Sequence, residues 1–300
     1  MNSLVILLGP TGVGKTELSL QVAERFGSPI ISSDSRQLYK DLPIGTAAPT
    51  PEQMARVRHY MVGTLNLTDY YSASNFEEDV ISLLNTLHQT TPTVVMTGGS
   101  MMYIDAVCKG IDDIPTISPE LRTGLMEVYE REGLESIRQM LKELDPVFYG
   151  QVDLNNGKRV LHAVEVCCMA GVPYSSLRKN TPKDRGFRIV RIGLNREREE
   201  LYARIDRRVD LMLEEGLEDE ARRLWPLRHL NALNTVGYKE LFDYFEGKTD
   251  YAEAVRLIKR NSRRYARKQL SWFRRDDDIR WFHPDDYEGI VEAIRLMKIG

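Results

Sequence analysis

Cysteine is scarce in this 300-residue chain: Cys108, Cys167 and Cys168 are the whole complement. An odd number with no metal-ligand spacing rules out a disulfide framework and a zinc module, and it is the usage expected of reduced thiols in a cytoplasmic protein. No apolar run approaches the roughly 18 residues of a membrane span, so no membrane association is expected. No basic leader precedes the first apolar run, so no signal peptide is expected. The five histidines form no spaced metal set, no Ser-His-Asp order suggests a hydrolase, and there is neither internal repeat nor low-complexity tract. What remains is an ordinarily globular composition, long enough for a sizeable core and for more than one average domain.

One charge sign is also missing locally. Arg256 to Arg275 holds nine Lys/Arg and no Asp/Glu, so the rest of the chain carries −12 once those nine are taken out of the net −3. A basic block on an acidic protein suits an acidic polymer as partner; a solvated basic helix is the plainer alternative.

The stretch that organises the chain is Gly9-Pro10-Thr11-Gly12-Val13-Gly14-Lys15-Thr16. It follows an apolar run, Leu4 to Leu8, that reads as a buried strand. It precedes an amphipathic stretch, Lys15 to Phe26, that reads as a helix. In that context the glycines let backbone N–H groups form a nest, the helix N-terminus adds partial positive charge, and Lys15 adds a full one. The Thr16 hydroxyl is placed for Mg²⁺. The site suits a diphosphate or triphosphate, and the loop by itself does not say which bond is broken.

Further strands are expected at Pro29 to Ser33, Tyr60 to Leu65, Pro92 to Met96, Arg188 to Leu194 and Ile279 to Phe282. Helices are expected after Thr50, whose capping box closes on Gln53, and after Ser74, whose box closes on Glu77. Met101 to Lys109 continues as helix. Between Pro119 and Arg185 there is no strand signal; Glu120–Arg131, Leu134–Leu144 and Lys158–Met169 all read as helices. Glu197–Glu215, Gly237–Phe245 and Tyr251–Phe273 follow, the last opened by a box of Asp250 and Glu253. The expected fold is α/β: a P-loop NTPase-like parallel sheet covered by helices, residues 1–115 and 187–300, with an all-helical insertion domain at residues 116–186.

Four constellations carry chemistry. Asp34 follows the second strand, where ligands of parallel sheets bind, and reads equally as a proton acceptor or as a turn cap for Ser35 or Arg36. The strand Pro92–Met96 ends in Thr97-Gly98-Gly99-Ser100, without the aspartate that holds Mg²⁺ in ATP-hydrolysing relatives. Arg196, Arg198, Arg204, Arg207 and Arg208 cluster on one helix, where phosphate neutralisation competes with surface pairing to Glu197, Glu200 and Asp206. On Tyr251–Phe273, at 100° per residue, Arg260, Arg263, Arg267 and Arg274 lie within about 40° of Arg256, opposite Tyr251, Ile258, Tyr265 and Trp272. This reads as an arginine rail able to follow a phosphate backbone.

The phosphate loop, Ser33-Asp34-Ser35-Arg36-Gln37-x-Tyr39, Ile44-Gly45-Thr46-Ala47, Gly98-Gly99 with a hydroxyl residue, Arg198-Glu199-Glu200-Leu201-Tyr202 and Val236-Gly237-Tyr238 together resemble the tRNA dimethylallyltransferase (tRNA isopentenyltransferase) family, nearly end to end. The resemblance implies transfer of a dimethylallyl group from dimethylallyl diphosphate to the exocyclic amine of an adenosine beside the tRNA anticodon. It implies that Gly9 to Thr16, with Mg²⁺ on Thr16, hold the diphosphate. Arg198 neutralises its developing charge, Asp34 takes the amine proton, and Ser100 orients the base. The anticodon stem-loop would be contacted by Asp34, Ser35, Arg36, Gln37, Ser100, Arg122 and the run Lys158, Arg159, Val160, Leu161 and His162. Ser100 replaces the usual threonine, His162 a usual arginine and Ala48 a common lysine; the last two bear on tRNA affinity more than on chemistry. Two other activities share the loop and Asp34: prenylation of free adenine nucleotides, and a small-molecule kinase that binds ATP. With no coiled-coil seam or apolar surface stripe, a monomer is expected.

Overall fold

A computed structural model describes residues 1–179 and 181–299. In chain order its elements are β1 (Ser3–Leu8), α1 (Lys15–Phe26), β2 (Ile30–Ser32), α2 (Pro51–Arg56), β3 (His59–Tyr60), α3 (Ala73–Leu87), β4 (Thr93–Gly98) and α4 (Met101–Lys109). There follow α5 (Pro119–Glu132), α6 (Leu134–Leu144), α7 (Pro146–Tyr149), α8 (Gly157–Ala170) and α9 (Tyr174–Leu177). The chain ends with β5 (Arg188–Leu194), α10 (Arg198–Glu214), α11 (Leu217–Leu224), α12 (Tyr238–Phe245), α13 (Tyr251–Phe273), β6 (Arg280–Phe282) and α14 (Tyr287–Ile299). It divides into two compact units, Met1–Cys108 with Asp184–Gly300, and Lys109–Lys183.

The first unit is built on a six-stranded sheet in the order β3-β2-β4-β1-β5-β6, with every pairing parallel. β1 is central: Leu8 is in register with Gly98 on one side and Gly193 on the other. Every β1 residue is buried, as a strand covered on both faces must be. Side chains alternate with the pleat. Val5 and Leu7 pack with Leu20, Val22, Leu201, Ile205 and Ile290. Leu4, Ile6 and Leu8 pack on the other face with Phe76, Val80, Leu84, Ile104 and Phe273. Chain direction reverses its strand order at β1, where β2 lies beyond β4 on one side and β5 on the other. A crevice therefore opens at the carboxyl ends of β1, β2 and β4.

Three local expectations are corrected. The strand over 60–65 stops at Tyr60, because Met61 and Gly63 take φ of 62° and 59° and leave the extended region; only a single bridge, Tyr39 to Leu65, follows. The box opening α3 is Ser72 with Asn75, not Ser74 with Glu77. Buried Glu77 instead pairs with Arg185 at 2.9 Å. At α13 the Asp250 side chain caps Glu253, whose own carboxylate turns to Arg256 at 2.6 Å. The last helix, α14, was not anticipated; its Ile290, Val291 and Ile294 are buried.

The helical unit has its own core of Leu125, Ile137, Leu141, Phe148, Val160, Leu161, Ala163 and Val164. Buried Asp145 staples it. Its Oδ1 accepts the Phe148 N–H at 2.9 Å, and its Oδ2 accepts the Ser175 N–H at 2.6 Å. No described residue between Lys109 and Lys183 lies in a strand.

Candidate active site

The loop leaving β1 turns sharply at Gly12. Its φ is 78°, and a Cβ there would lie 2.7 Å from Ile205 Cγ1 on α10, so only glycine fits. Four of the loop's carbonyls are held by basic side chains. Lys15 Nζ donates to Gly9 O at 2.9 Å and to Pro10 O at 2.8 Å. Arg204 Nε donates to Gly12 O at 3.0 Å, and Arg196 Nε to Val13 O at 2.9 Å. Arg196 is buried and is itself held by Glu200 at 2.5 Å and Asp285 at 2.6 Å. The amides of the first turn of α1 have no intrahelical acceptor, so the loop and the helix N-terminus offer an anion cradle beside these side chains.

Gly12, Lys15, Arg196 and Arg204 line a cavity of about 1070 Å³, together with Thr16, Asp34, Arg207, Arg208, Tyr265 and Gln269. Burial and the nearby Arg208 charge push the Lys15 ammonium down to about 7, against the attraction of Asp34. Burial also lowers the Arg208 guanidinium, which Asp34 and Glu215 work against. Burial lifts the Tyr265 phenol to about 12, and the charge of Asp34 adds to the effect. Lys15, Arg208 and Asp34 therefore feel one another's charge across one site. Part of the wall is apolar, formed by Ile205, Val209, Met212, Leu217, Val236 and Ile258.

Both roles open for Asp34 are compatible. Its Oδ1 accepts the Arg36 N–H at 2.9 Å, which is the turn cap, and the carboxylate still lines the cavity. The neighbouring side chains hold the turn. Arg36 donates to Asn231 O at 2.9 Å. Gln37 accepts from the Ser32 hydroxyl at 2.9 Å and donates to Thr46 O and Ala47 O at 3.2 and 3.0 Å. Buried Ser100 accepts the Ser35 N–H at 2.8 Å and donates to Ser35 Oγ at 3.2 Å; it supports the Asp34 turn from behind instead of lining the cavity.

The Ile44–Ala47 run is fixed by a residue that sequence reasoning passed over. The buried Glu220 carboxylate accepts the Ile44 and Gly45 N–H groups at 3.0 and 2.9 Å and the Tyr238 hydroxyl at 2.6 Å. Two runs that are far apart in sequence, Ile44–Ala47 and Val236–Tyr238, meet through it.

Several expected site residues lie elsewhere. Arg198 does not line the cavity; it is exposed, with its guanidinium 5.3 Å from the Tyr202 ring centre. It is the first residue of α10, and Arg204, Arg207 and Arg208, two and three turns on, line the cavity instead. Val160 and Leu161 lie in the core of the helical unit, so only Lys158, Arg159 and His162 of that run are exposed. Arg122 donates to buried Glu165 at 3.2 Å, whose other oxygen lies 3.4 Å from His162 Nδ1. The arginine rail is interrupted: Arg263 pairs with Asp206 on α10, and Arg256 with Glu253. Tyr265 lies on the cavity and not in the core, while Trp272 donates to Asp105 at 2.8 Å. The outward basic residues outside these pairs are Arg264, Arg267, Lys268, Arg274 and Arg275.

The IPP transferase family model matches residues 37–276. The chain belongs to this family. It is 73% identical to tRNA dimethylallyltransferase 2 of Parabacteroides distasonis, over 97% of each chain. It is 59% identical to tRNA dimethylallyltransferase 1 of Phocaeicola vulgatus, over 99% of each. The crystal structure of the tRNA isopentenylpyrophosphate transferase of Bacillus halodurans superposes with a TM-score of 0.72 at 33% identity, covering 99% of this chain and 97% of that one. As an IPP transferase family member the chain is a prenyl-transferring, tRNA-modifying enzyme. Its fold is the P-loop-like parallel sheet of that family. Among the described residues no helix is long and apolar enough to cross a membrane.

Proposed function

We propose that this chain transfers the dimethylallyl group of dimethylallyl diphosphate to the exocyclic amine of an adenosine adjacent to the tRNA anticodon, and that it works as a cytoplasmic monomer. The observation that carries the reading is the cavity itself: an anion cradle with Lys15 and Arg208, a carboxylate at Asp34 and an apolar wall share one space. A diphosphate, an amine and a five-carbon tail need those three surfaces together.

In this reading the loop amides, Lys15 and Arg208 bind the diphosphate. The apolar wall takes the tail, away from water. As the allylic C–O bond breaks, negative charge grows on the diphosphate and the cations hold it. The amine nitrogen forms the new C–N bond, and its proton passes to Asp34. Thr16 fits a Mg²⁺ ion. Its exposed hydroxyl opens the helix beside the cradle, and Mg²⁺ characteristically takes one or two protein oxygens with substrate phosphates rather than an all-protein cage. When bound, the ion would neutralise part of the leaving group's charge. Lys158, Arg159 and His162 contact the tRNA from the helical unit, and Arg264, Arg267 and Lys268 from α13.

One assay tests the reading. Labelled dimethylallyl diphosphate is offered with unmodified tRNA, with AMP or alone, and ATP is offered in parallel. Label in tRNA with release of diphosphate is expected; label in AMP, or phosphate transfer from ATP, would replace the proposal with a nucleotide prenyltransferase or a kinase.

Two substitution series refine it. Arg208→Ala is expected to lower kcat about a hundredfold, and Arg198→Ala by less than about threefold. Equal losses in steady-state kinetics would return the charge-neutralising role to Arg198. Neutralising Arg267 and Lys268 together with glutamine is expected to reduce the salt dependence of tRNA affinity by about two units of log–log slope. Arg263→Gln, whose parent is already paired with Asp206, should leave that slope unchanged. The same slope change from both would mean that the α13 ion pair opens on binding.

A further inference from the structure

Gln269 lies on the inward side of α13 and is 2% exposed. Its Oε1 accepts the Thr11 N–H at 2.9 Å, and its Nε2 donates to Gly99 O at 2.8 Å. An N–H can only donate and a carbonyl only accept, so the two partners fix the orientation of the amide. Thr11 belongs to the loop after β1 that carries Lys15. Gly99 belongs to the loop after β4, and the next residue, Ser100, accepts the Ser35 N–H at 2.8 Å, one residue beyond Asp34. One side-chain amide thus joins the loop that grips the leaving group to the loop that supports the proton acceptor. Packing there is tight: a Cβ on Gly99 would lie 2.2 Å from Gln269 Nε2. The residues just before it, Arg267 and Lys268, point outward from the same helix.

We propose that Gln269 is a positioning residue that couples the two substrate sites. It sets the spacing between the diphosphate loop and the Asp34 turn, and it passes engagement of the outer basic face of α13 to both loops. The inference rests on the functional reading above. The chemistry of the contact requires an amide. A glutamate could accept from Thr11 but would turn a second acceptor toward Gly99 O. A methionine fills the space and makes neither bond. An asparagine is one methylene short.

The test compares wild type with Gln269→Glu and Gln269→Met. It measures thermal stability, single-turnover transfer rate, and the Kd of dimethylallyl thiodiphosphate, a slow-reacting donor, with and without an anticodon stem-loop RNA. In wild type the RNA is expected to tighten donor binding about tenfold. In both variants that ratio should fall to about one and the transfer rate at least about tenfold, and in the uncharged Gln269→Met donor affinity without RNA should change by less than about threefold. Gly99→Ala displaces the same amide from the other side and should reproduce the lost coupling, which keeps the test open if a Gln269 variant does not fold. Variants that fold and keep both the ratio and the rate would overturn the inference. So would a wild type with no coupling, or variants that lose donor affinity alone. Failure of wild type to prenylate tRNA at all would instead overturn the functional reading.

Discussion

Replacing Asp34 with asparagine is expected to lower the single-turnover rate of prenyl transfer by about three orders of magnitude while tRNA affinity stays within about twofold. Asparagine is the informative choice. Asp34 Oδ1 caps the Arg36 N–H at 2.9 Å, and an asparagine oxygen can keep that bond. The turn that holds Ser35, Arg36 and Gln37 therefore survives, and only the negative charge and the proton acceptor are lost. That charge has two uses in the proposed reaction. It stabilises the positive charge that grows on the amine as the C–N bond forms, and it then takes the proton. Alanine removes the cap as well, so a larger loss in Asp34→Ala than in Asp34→Asn measures the turn's contribution. Single-turnover kinetics separates this from product release. Near-normal transfer by Asp34→Asn would remove Asp34 from the chemistry and leave it a turn residue.

How far the site could be read in advance follows the range of the interactions. α1 and β5 begin and end where the sequence pattern puts them, because a glycine-bounded helix and a short run rich in Ile and Val are encoded by neighbours in the chain. The cradle was legible for the same reason. The choice among arginines was not. Arg198, Arg204 and Arg208 share one helix, and the sequence records their spacing but not which side of α10 meets the sheet. Leu201, Ile205 and Val209 pack inward; Arg198 shares their stripe but, as the first residue of α10, is exposed, whereas Arg208, about 80° round the helix from it, lines the cavity. The arginine rail failed likewise. A helical wheel places Arg263 correctly among its neighbours but cannot see Asp206 on α10. Gln269 and Glu220 carried no signal, since each acts through backbone groups more than 150 residues away along the chain. Val160 and Leu161 were carried over with a contiguous run, and the helical period itself sends them into the core while their neighbours face water.

The second large effect concerns Lys15. Without ligand its amine is pushed down to about 7, mainly by burial and then by Arg208. Its Nζ donates to two carbonyls, Gly9 O at 2.9 Å and Pro10 O at 2.8 Å, bonds that either form of the amine can make. A bound diphosphate favours the ammonium and raises its pKa. The sign then follows. Above about pH 7 the free protein carries a neutral lysine and the complex a charged one, so binding takes up a proton. Donor affinity should accordingly fall as pH rises above about 7, by up to about tenfold per unit, until the pH passes the raised value in the complex. Calorimetry of donor binding at pH 8.5 in buffers of different ionisation enthalpy should report uptake of about one proton; at that pH the diphosphate is itself fully ionised. Lys15→Met should abolish the uptake and lower the transfer rate by about a thousandfold, because it removes the charge that meets the departing diphosphate. Wild type that takes up no proton at pH 8.5 would mean that Lys15 is already charged before the donor arrives. The loop would then be a preformed cation site and not one that acquires its charge with the ligand.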